Sequence, residues 1–309
     1  MKKYALMFPG QGAQFVGMGQ SFADNDLDSN QIYLKATKNL GSDMKQLCFE
    51  ENDLMNRTEY AQKAIFVTSA AIYEAFRNKV GILPSALIGF SLGEYTAMYA
   101  SGMICFENML KLIDARSKWM EEATIAHPGG MAAIVGGELP DIEKFTKEVT
   151  EKIGYLQIAN YNSPVQKVLS GSVEAIDYLE NHYSQTGAKR FVRLNVSGAF
   201  HTPFMHEAAI RMREYFRTMK HKMPKIPIVS NAKATYLEDA SAIENIREQM
   251  ESPVHFEESI RFLIDSGIDL FIEIGPGKVL TGLVKKINPD VQTISINEYE
   301  DLYKLEGIL

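Results

Sequence analysis

Two rhythms of apolar residues run through this chain of 309 residues, and their order along it restricts the fold more than any other feature. In the first, short apolar runs alternate with amphipathic stretches of helical length. Tyr4 to Phe8 is followed by a long helical region that includes Ala61 to Lys79, and then by Ala86 to Phe90. The same rhythm returns near the end, with strands expected at Ile226 to Val229, Leu270 to Ile274 and Val291 to Ile296. Helices are expected there at Ala242 to Met250, Glu257 to Asp265 and Val279 to Ile287. Such alternation favours an α/β fold with a mostly parallel sheet.

The second rhythm is entered through His127-Pro128-Gly129-Gly130 and left through Ser197-Gly198. It reads as strand Met131 to Val135, helix Asp141 to Ile153, strand Tyr155 to Ala159, strand Gln166 to Ser170, helix Val173 to Thr186 and strand Lys189 to Val196. The order βαββαβ is the ferredoxin-like arrangement. The expected architecture is therefore a large α/β domain formed by residues 1–127 and 198–309, with a small domain of residues 128–197 inserted in it. A cleft between two such domains is where ligands tend to bind.

Bulk properties exclude several classes. A content of 46% hydrophobic and 23% charged residues argues against disorder, collagen-like repeats and membrane proteins. The apolar run at Tyr4 to Phe8 is shorter than the roughly 7 to 15 residues of a secretory core, and no segment nears the roughly 18 apolar residues of a membrane helix. A soluble, cytoplasmic protein is expected. The formal net charge of −7 works against non-specific nucleic-acid binding. Cys48 and Cys105 are too few for a disulfide framework or a zinc site and read as small buried thiols.

Gly89-Phe90-Ser91-Leu92-Gly93 stands between the apolar Ala86 to Ile88 and a helical stretch, Leu92 to Ala100, that stops at Gly102. A serine lifted off a strand-to-helix turn exposes its hydroxyl, and the helix N-terminus aims free N–H groups at developing negative charge. Ser91 is thus the candidate nucleophile and the Leu92 N–H one oxyanion donor.

A serine nucleophile needs a general base, and the chain has six histidines. His182 lies within a helical stretch, His221 in Lys220-His221-Lys222, and His127 before a Pro-Gly-Gly turn, so all three read as surface residues. His206 and His255 stay open. His201 follows the strand ending at Val196 and a Ser-Gly turn and precedes Thr202-Pro203, which puts it on a loop at a strand end. His201 and His206 lack the HExxH pattern of a helical zinc site, and no metal is needed. Pro9-Gly10-Gln11-Gly12-Ala13-Gln14 fails as a dinucleotide loop, because Phe15 stands where the third glycine is required; it reads as a backbone oxyanion contact or a plain turn. Gly275-Pro276-Gly277-Lys278 reads as a turn into a helix. Arg116 falls on the apolar stripe of a helix from Phe106 to Ala123, beside Met109, Leu112, Ile113 and Met120. An inward guanidinium implies either a salt bridge, a snorkelling stem, or a clamp for a substrate carboxylate.

Taken together, FPGQGAQ at Phe8 to Gln14, GFSLGEY at Gly89 to Tyr95, Arg116, ANYNSP at Ala159 to Pro164, GAFHTP at Gly198 to Pro203 and IEIGPGKVL at Ile272 to Leu280 resemble the malonyl-CoA:acyl carrier protein transacylase family. The likeness spans nearly the whole chain. It implies an α/β-hydrolase-like large domain with a ferredoxin-like insertion, a Ser91 nucleophile, His201 as base and acid, and an oxyanion hole from the N–H groups of Gln11 and Leu92. It also implies that Arg116 binds a free malonyl carboxylate, that Gln62, Asn160, Asn162 and Phe200 belong to the substrate site, and that a backbone carbonyl at Gln249 orients the histidine in place of an acidic third member. Phe200 resembles the pattern of malonyl-selective members and would make methylmalonyl a poor substrate. Two positions depart from the family: Phe90, where many relatives carry His, and Lys63, where Pro is frequent.

The implied reaction moves a malonyl group from coenzyme A to an acyl carrier protein, with the coenzyme A thioester as substrate, no bound cofactor, and fatty acid synthesis as the pathway. Alternatives are an acyltransferase serving a polyketide synthase, an acyl hydrolase or thioesterase on the same scaffold, and an idle docking subunit. Carrier proteins are acidic, so Lys285-Lys286 and Lys189-Arg190 stand as docking candidates against the alternative of solvated faces.

Overall fold

The computed structural model describes residues 2–238 and 241–309. It is an α/β protein whose nine strands among these residues form two separate sheets. The strands are β1 (Tyr4–Phe8), β2 (Ala86–Gly89), β3 (Gly129–Gly136), β4 (Leu156–Ser163), β5 (Gln166–Ser172), β6 (Ala188–Arg193), β7 (Ile228–Val229), β8 (Leu270–Ile274) and β9 (Gln292–Ile296).

The first sheet is wholly parallel, in the order β7-β2-β1-β8-β9. Its inner strands read YALMF, ALIG and LFIEI and are buried at every position, because helices cover both faces and no residue need face water. The polar exception, Glu273 in β8, accepts from the N–H groups of Leu280 and Thr281 and from the Thr281 hydroxyl, which anchors the start of the helix Val279–Ile287. Parallel strands all point one way, so their C-terminal ends share an edge. Pro9 to Gln11 follow β1, Phe90 and Ser91 follow β2, Ser230 and Asn231 follow β7, and Gly275 follows β8. Open parallel sheets bind ligands at this edge.

The second sheet is antiparallel, in the order β4-β5-β3-β6, and contains two helices, Leu139–Lys152 and Val173–His182, between its strands. The period of two decides which core each side chain joins. Ala132 and Ile134 of β3 pack with Ile142, Phe145, Ile176 and Leu179 of these helices. Met131 and Ala133 point the other way, into the core shared with the parallel sheet. The antiparallel sheet thus has one face of its own and one that closes over the edge where Ser91 lies. A further tie is made by Val254, whose N–H donates to Ala159 O (2.8 Å) and whose carbonyl accepts from Tyr161 N–H (2.9 Å).

Every strand expected from the sequence is found; the differences lie at element ends, in one cysteine, and in helices the sequence reading did not name, Gln20–Asn25, Leu27–Leu40, Met44–Phe49 and His206–Arg217. The helix expected to reach Thr186 stops at His182 and continues as a 3₁₀ turn, Tyr183–Thr186, closed by Gly187 at φ 75°. The strand expected to reach Val196 leaves the ladder after Arg193; beyond it the Val196 N–H bonds to Leu194 O, within its own segment. Cys48 is buried, and burial pushes its thiol up to about 12. Cys105 is exposed, contrary to expectation, because it precedes the helix Phe106–Ala126 as its N-cap on the surface rather than on the inward stripe. Among the described residues no helix is long and apolar enough to cross a membrane.

Candidate active site

The turn that carries Ser91 is built by close backbone approach. A Cβ on Gly89 would stand 1.9 Å from the Gly93 carbonyl carbon, and one on Gly93 would stand 1.9 Å from Phe8 O. Any side chain at either position would push strand and helix apart, which is why both are glycine. The left-handed conformation falls on Ser91 itself, at φ 51°. His201 is also left-handed, at φ 59°. Non-glycine residues held there store roughly 1 to 3 kcal/mol each and persist only when their surroundings over-determine them.

Those surroundings are specific. Ser91 N–H donates to Asn231 Oδ1 (2.7 Å), and Ser91 O accepts from Gln249 Nε2 (2.7 Å). His201 Nε2 lies 2.7 Å from Ser91 Oγ, while His201 Nδ1 lies 3.0 Å from the Gln249 carbonyl. A carbonyl can only accept, so Nδ1 carries the proton and Nε2 is left to accept from the Ser91 hydroxyl. Gln249 therefore holds both members of the pair, its side chain on the serine and its backbone on the histidine. Gln157 Nε2 adds a bond to His201 O (2.6 Å). Burial, and next the charge of Arg116, hold the His201 imidazole down at about 4, against the bonds to Gln249 and Ser252 that raise it. The ring is neutral at neutral pH and free to take a proton.

Arg116 is 1% exposed on the helix Phe106–Ala126. Its Nη1 donates to Gln62 Oε1 (2.6 Å), and the guanidinium lies 5.0 Å over the Tyr95 ring. Its Nε and Nη2 have no partner among the described residues. Two unpartnered guanidinium donors in a buried site are costly unless an acceptor arrives. Gln62 reaches on to Gln11 Oε1 at 3.5 Å, linking the arginine to the loop after β1. The N–H groups of Gln11 and Leu92 make no hydrogen bond among the described residues and remain able to receive an anion.

A cavity of about 240 Å³ joins these groups. Ser91, His201, Gln11, Leu92, Arg116 and Phe200 all line it. Asn160 and Asn162 on β4 line the opposite wall with Met131, Ala133 and Val168, the outward residues of the antiparallel sheet. The Asn162 Oδ1 is buried without a partner among the described residues. A wider surface groove of about 1010 Å³ lies elsewhere, by Tyr73, Tyr99 and Cys105, where Glu74 is already taken by the Tyr99 hydroxyl (2.6 Å).

The remaining histidines do not reach Ser91. His206 pairs with Glu251 at 2.6 Å on the surface, and His255 stacks on Tyr161 at 5.0 Å. Of the departures noted in the sequence, Phe90 packs edge-on against Phe256 (5.4 Å) and Lys63 is buried on Asp114 (2.9 Å). Lys285 donates to the carbonyls of Pro289 (3.1 Å) and Val291 (2.6 Å) just past the end of its own helix, and Lys285, Lys286, Lys189 and Arg190 are all exposed.

Sequence reasoning missed Asn231 and Glu94. Asn231 holds the Ser91 turn, and Glu94, fully buried, accepts from the Asn231 N–H (2.7 Å) and from Asn245 Nδ2. Burial pushes the Glu94 carboxyl up to about 7, opposed by those two bonds and by Arg116. The available signals were an acid directly after the Gly-x-Ser-x-Gly motif and a polar pair directly after a strand.

The profile of the acyl transferase domain family matches residues 5–298. The chain belongs to the malonyl-CoA:acyl carrier protein transacylase family. It is 39% identical over 304 residues to the malonyl CoA-acyl carrier protein transacylase of Bacillus subtilis, covering 98% of this chain and 96% of that protein. The protein of the same name from Staphylococcus aureus strain MW2 is 38% identical, with 98% of each chain covered. Among solved structures, the Streptococcus pneumoniae enzyme superposes with a TM-score of 0.93 at 37% identity, over 99% of this chain and 100% of that one. A malonyl-transacylase in complex with its type II polyketide synthase acyl-carrier protein superposes with a TM-score of 0.95 at 32% identity, over 99% and 100% of the two chains. These likenesses span both sheets.

Proposed function

We propose that this chain is an acyltransferase that moves the malonyl group from malonyl-CoA to the phosphopantetheine thiol of an acyl carrier protein, through an ester on Ser91, and so supplies fatty acid synthesis. The observation that carries this reading is Arg116: a buried guanidinium with two unpartnered donors lines the same cavity as a serine bonded to a neutral histidine. A hydrolase for neutral acyl chains gains nothing from such a group, whereas an acyl group with its own carboxylate satisfies it.

In the first half-reaction the Ser91 hydroxyl proton passes to His201 Nε2 as Oγ attacks the thioester carbonyl. The oxyanion forms against the N–H groups of Gln11 and Leu92, each such donor being worth roughly 3 to 4 kcal/mol. The carbon–sulfur bond then breaks, and the His201 proton goes to the coenzyme A sulfur. In the second half-reaction the carrier thiol gives its proton to His201 and attacks the ester, and Ser91 Oγ leaves with that proton. Gln249 O keeps His201 in the required tautomer, so no acidic third member is needed. Phe200 limits room beside the acyl carbon, and Asn160 and Asn162 offer amide groups to the incoming thioester arm. Coenzyme A acts as a substrate thioester, and no resident cofactor enters the reaction.

Residues 1–127 and 198–309 form the catalytic domain in this proposal and 128–197 the inserted one, with the acyl carrier docking near the cleft. Lys285, Lys286, Lys189 and Arg190 remain the docking candidates; Lys285 keeps its charge while donating to the carbonyls of Pro289 and Val291. A polyketide carrier is the second reading, favoured by the likeness to a transacylase solved with such a carrier.

Intact-protein mass spectrometry tests the assignment. Incubation with malonyl-CoA should add one malonyl group, absent in Ser91→Ala and discharged by holo acyl carrier protein but slowly by water. No adduct, or rapid hydrolysis without transfer, would refute it. Discharge rates with carriers of the two pathways separate the two readings.

A further inference from the structure

Asn231 sits where β7 ends, beside the end of β2, and its side-chain amide spans the turn between them. Its Oδ1 accepts from Ser91 N–H (2.7 Å), and its Nδ2 donates to Gly89 O (2.6 Å). One planar amide thus grips the residue before the turn and the residue at its left-handed position. The amide cannot swing away, because its own backbone is held on both sides. Asn231 N–H donates to Glu94 Oε2 (2.7 Å), and Asn231 O accepts from His255 N–H (2.9 Å). Glu94 lies in the first turn of the helix Gly93–Ala100 that the elbow feeds, and Asn245 fixes its other oxygen. Asn245 is bonded in turn to the Ser230 hydroxyl. All four residues are 1% exposed or less.

We propose that Asn231 is a positioning residue for acyl transfer, which holds Ser91 in its left-handed turn and thereby aims both the Ser91 hydroxyl at His201 and the Leu92 N–H at the developing oxyanion, with Glu94 as its anchor. The inference rests on Ser91 being the nucleophile. Its physical ground is that the turn is strained for a residue with a Cβ, and without the Asn231 bridge the Ser91 backbone would be held at its carbonyl alone, by Gln249 Nε2 (2.7 Å) and the Glu94 N–H (3.1 Å), with the Ser91 N–H left without its partner. A misplacement of about 1 Å at a reacting group can cost on the order of 100-fold in rate.

The test uses the full chain, with Ser91→Ala beside two Asn231 variants. In Asn231→Ala, kcat for malonyl transfer should fall about 100-fold while KM for malonyl-CoA stays within about three-fold, since the substrate's own contacts are untouched. Asn231→Asp keeps shape and the acceptor for Ser91 N–H but turns a second oxygen toward Gly89 O. Only its protonated form can donate there, and burial favours that form. The ratio of its kcat to that of the wild type should therefore rise about ten-fold between about pH 8 and about pH 5.5. Of the groups around the turn, Glu94, His201, His255 and Arg116, the ratio cancels only ionisations that the new carboxylate leaves alone, and an ionised acid at position 231 raises its neighbours Glu94 and His201. Earlier protonation of His201 lowers activity toward acid pH, so a rising ratio reports the restored donor to Gly89 O. Should the alanine variant fail to fold, the pH ratio of the isosteric variant decides alone. An alanine variant with kcat within about three-fold of wild type, a KM rise that accounts for its whole loss, or a ratio that is flat with pH would overturn the inference. If Ser91→Ala still transfers, the nucleophile reading falls as well; if it is dead while the ratio is flat, only the role of Asn231 falls.

Discussion

The two ends of the cavity are built on opposite principles. At the Ser91 end the serine backbone N–H and C=O, both imidazole nitrogens and the clamping amide of Asn231 all have partners that hold two strained backbone positions in place, while the Gln11 and Leu92 N–H groups and Gln249 Oε1 have none among the described residues. At the Arg116 end one nitrogen of the guanidinium donates to Gln62 and the other two have no partner among the described residues, in a fully buried position. A satisfied network is rigid, and rigidity is what a covalent step requires of its nucleophile and base. An unsatisfied charge is the reverse: it stays ready for the one ligand group that can complete it. On the proposed function, the contrast separates reaction from selection in this site, so that one should be open to damage without the other.

The strongest attack on that separation is Arg116→Ala. Removing the partner of a buried carboxylate costs about 3 to 5 kcal/mol, so kcat/KM for malonyl-CoA should drop about 100- to 5000-fold. Acetyl-CoA, which has no carboxylate to lose, should change by less than about ten-fold, and steady-state kinetics with both donors would read the difference. Equal losses for the two would mean that Arg116 supports the scaffold rather than choosing the substrate.

Next in size is Phe200→Ala. Phe200 is 6% exposed and lines the cavity beside His201. Deleting the ring should raise the methylmalonyl to malonyl ratio of kcat/KM by about ten-fold or more, the scale set by one added carbon in a tight pocket. Competition between the two thioesters, followed by the mass of the acyl-enzyme, measures it directly. An unchanged ratio would place the steric limit on another wall.

The smallest effect links the two ends. His201 is held down to about 4 by burial first and by the charge of Arg116 second. With acetyl-CoA as donor, kcat/KM should stay flat as pH falls from about 8 to about 5 and decline only as the imidazole protonates. Removing the cation favours the protonated ring, so in Arg116→Ala the acid limb should move to higher pH, toward the ordinary range of histidine. An acid limb that stays in place would leave burial as the sole cause and the two ends electrically independent.

Local signals made much of this legible before any coordinates. The bounds of β8 and of the helix Val279–Ile287 follow from apolar runs and a Gly-Pro-Gly turn between them, and both are found where expected. The inward direction of Arg116 followed from helical spacing against Met109, Leu112, Ile113 and Met120. Ends were less legible, because the loss of β6 after Arg193 and the tightening of the helix after His182 depend on what lies beside them. Cys105 was misjudged because one residue outside a helix carries no periodicity from which to infer burial.

By itself the sequence determined the alternation that makes a parallel sheet, the βαββαβ unit between two Gly-containing turns, and the pair Gly89 and Gly93 that lets strand and helix touch at the elbow. These are properties of neighbours along the chain, where propensity and period act within a few residues. Only the tertiary structure decided that Asn231 would grip Ser91, that Gln249 would serve the serine and the histidine at once, and that Arg116 would be left with two bare donors. Those contacts join residues 140, 158 and 54 positions apart. Nothing local selects them, since a side-chain amide can bond to any backbone group, and the partner it meets is set by which strand ends the sheet brings to the same edge.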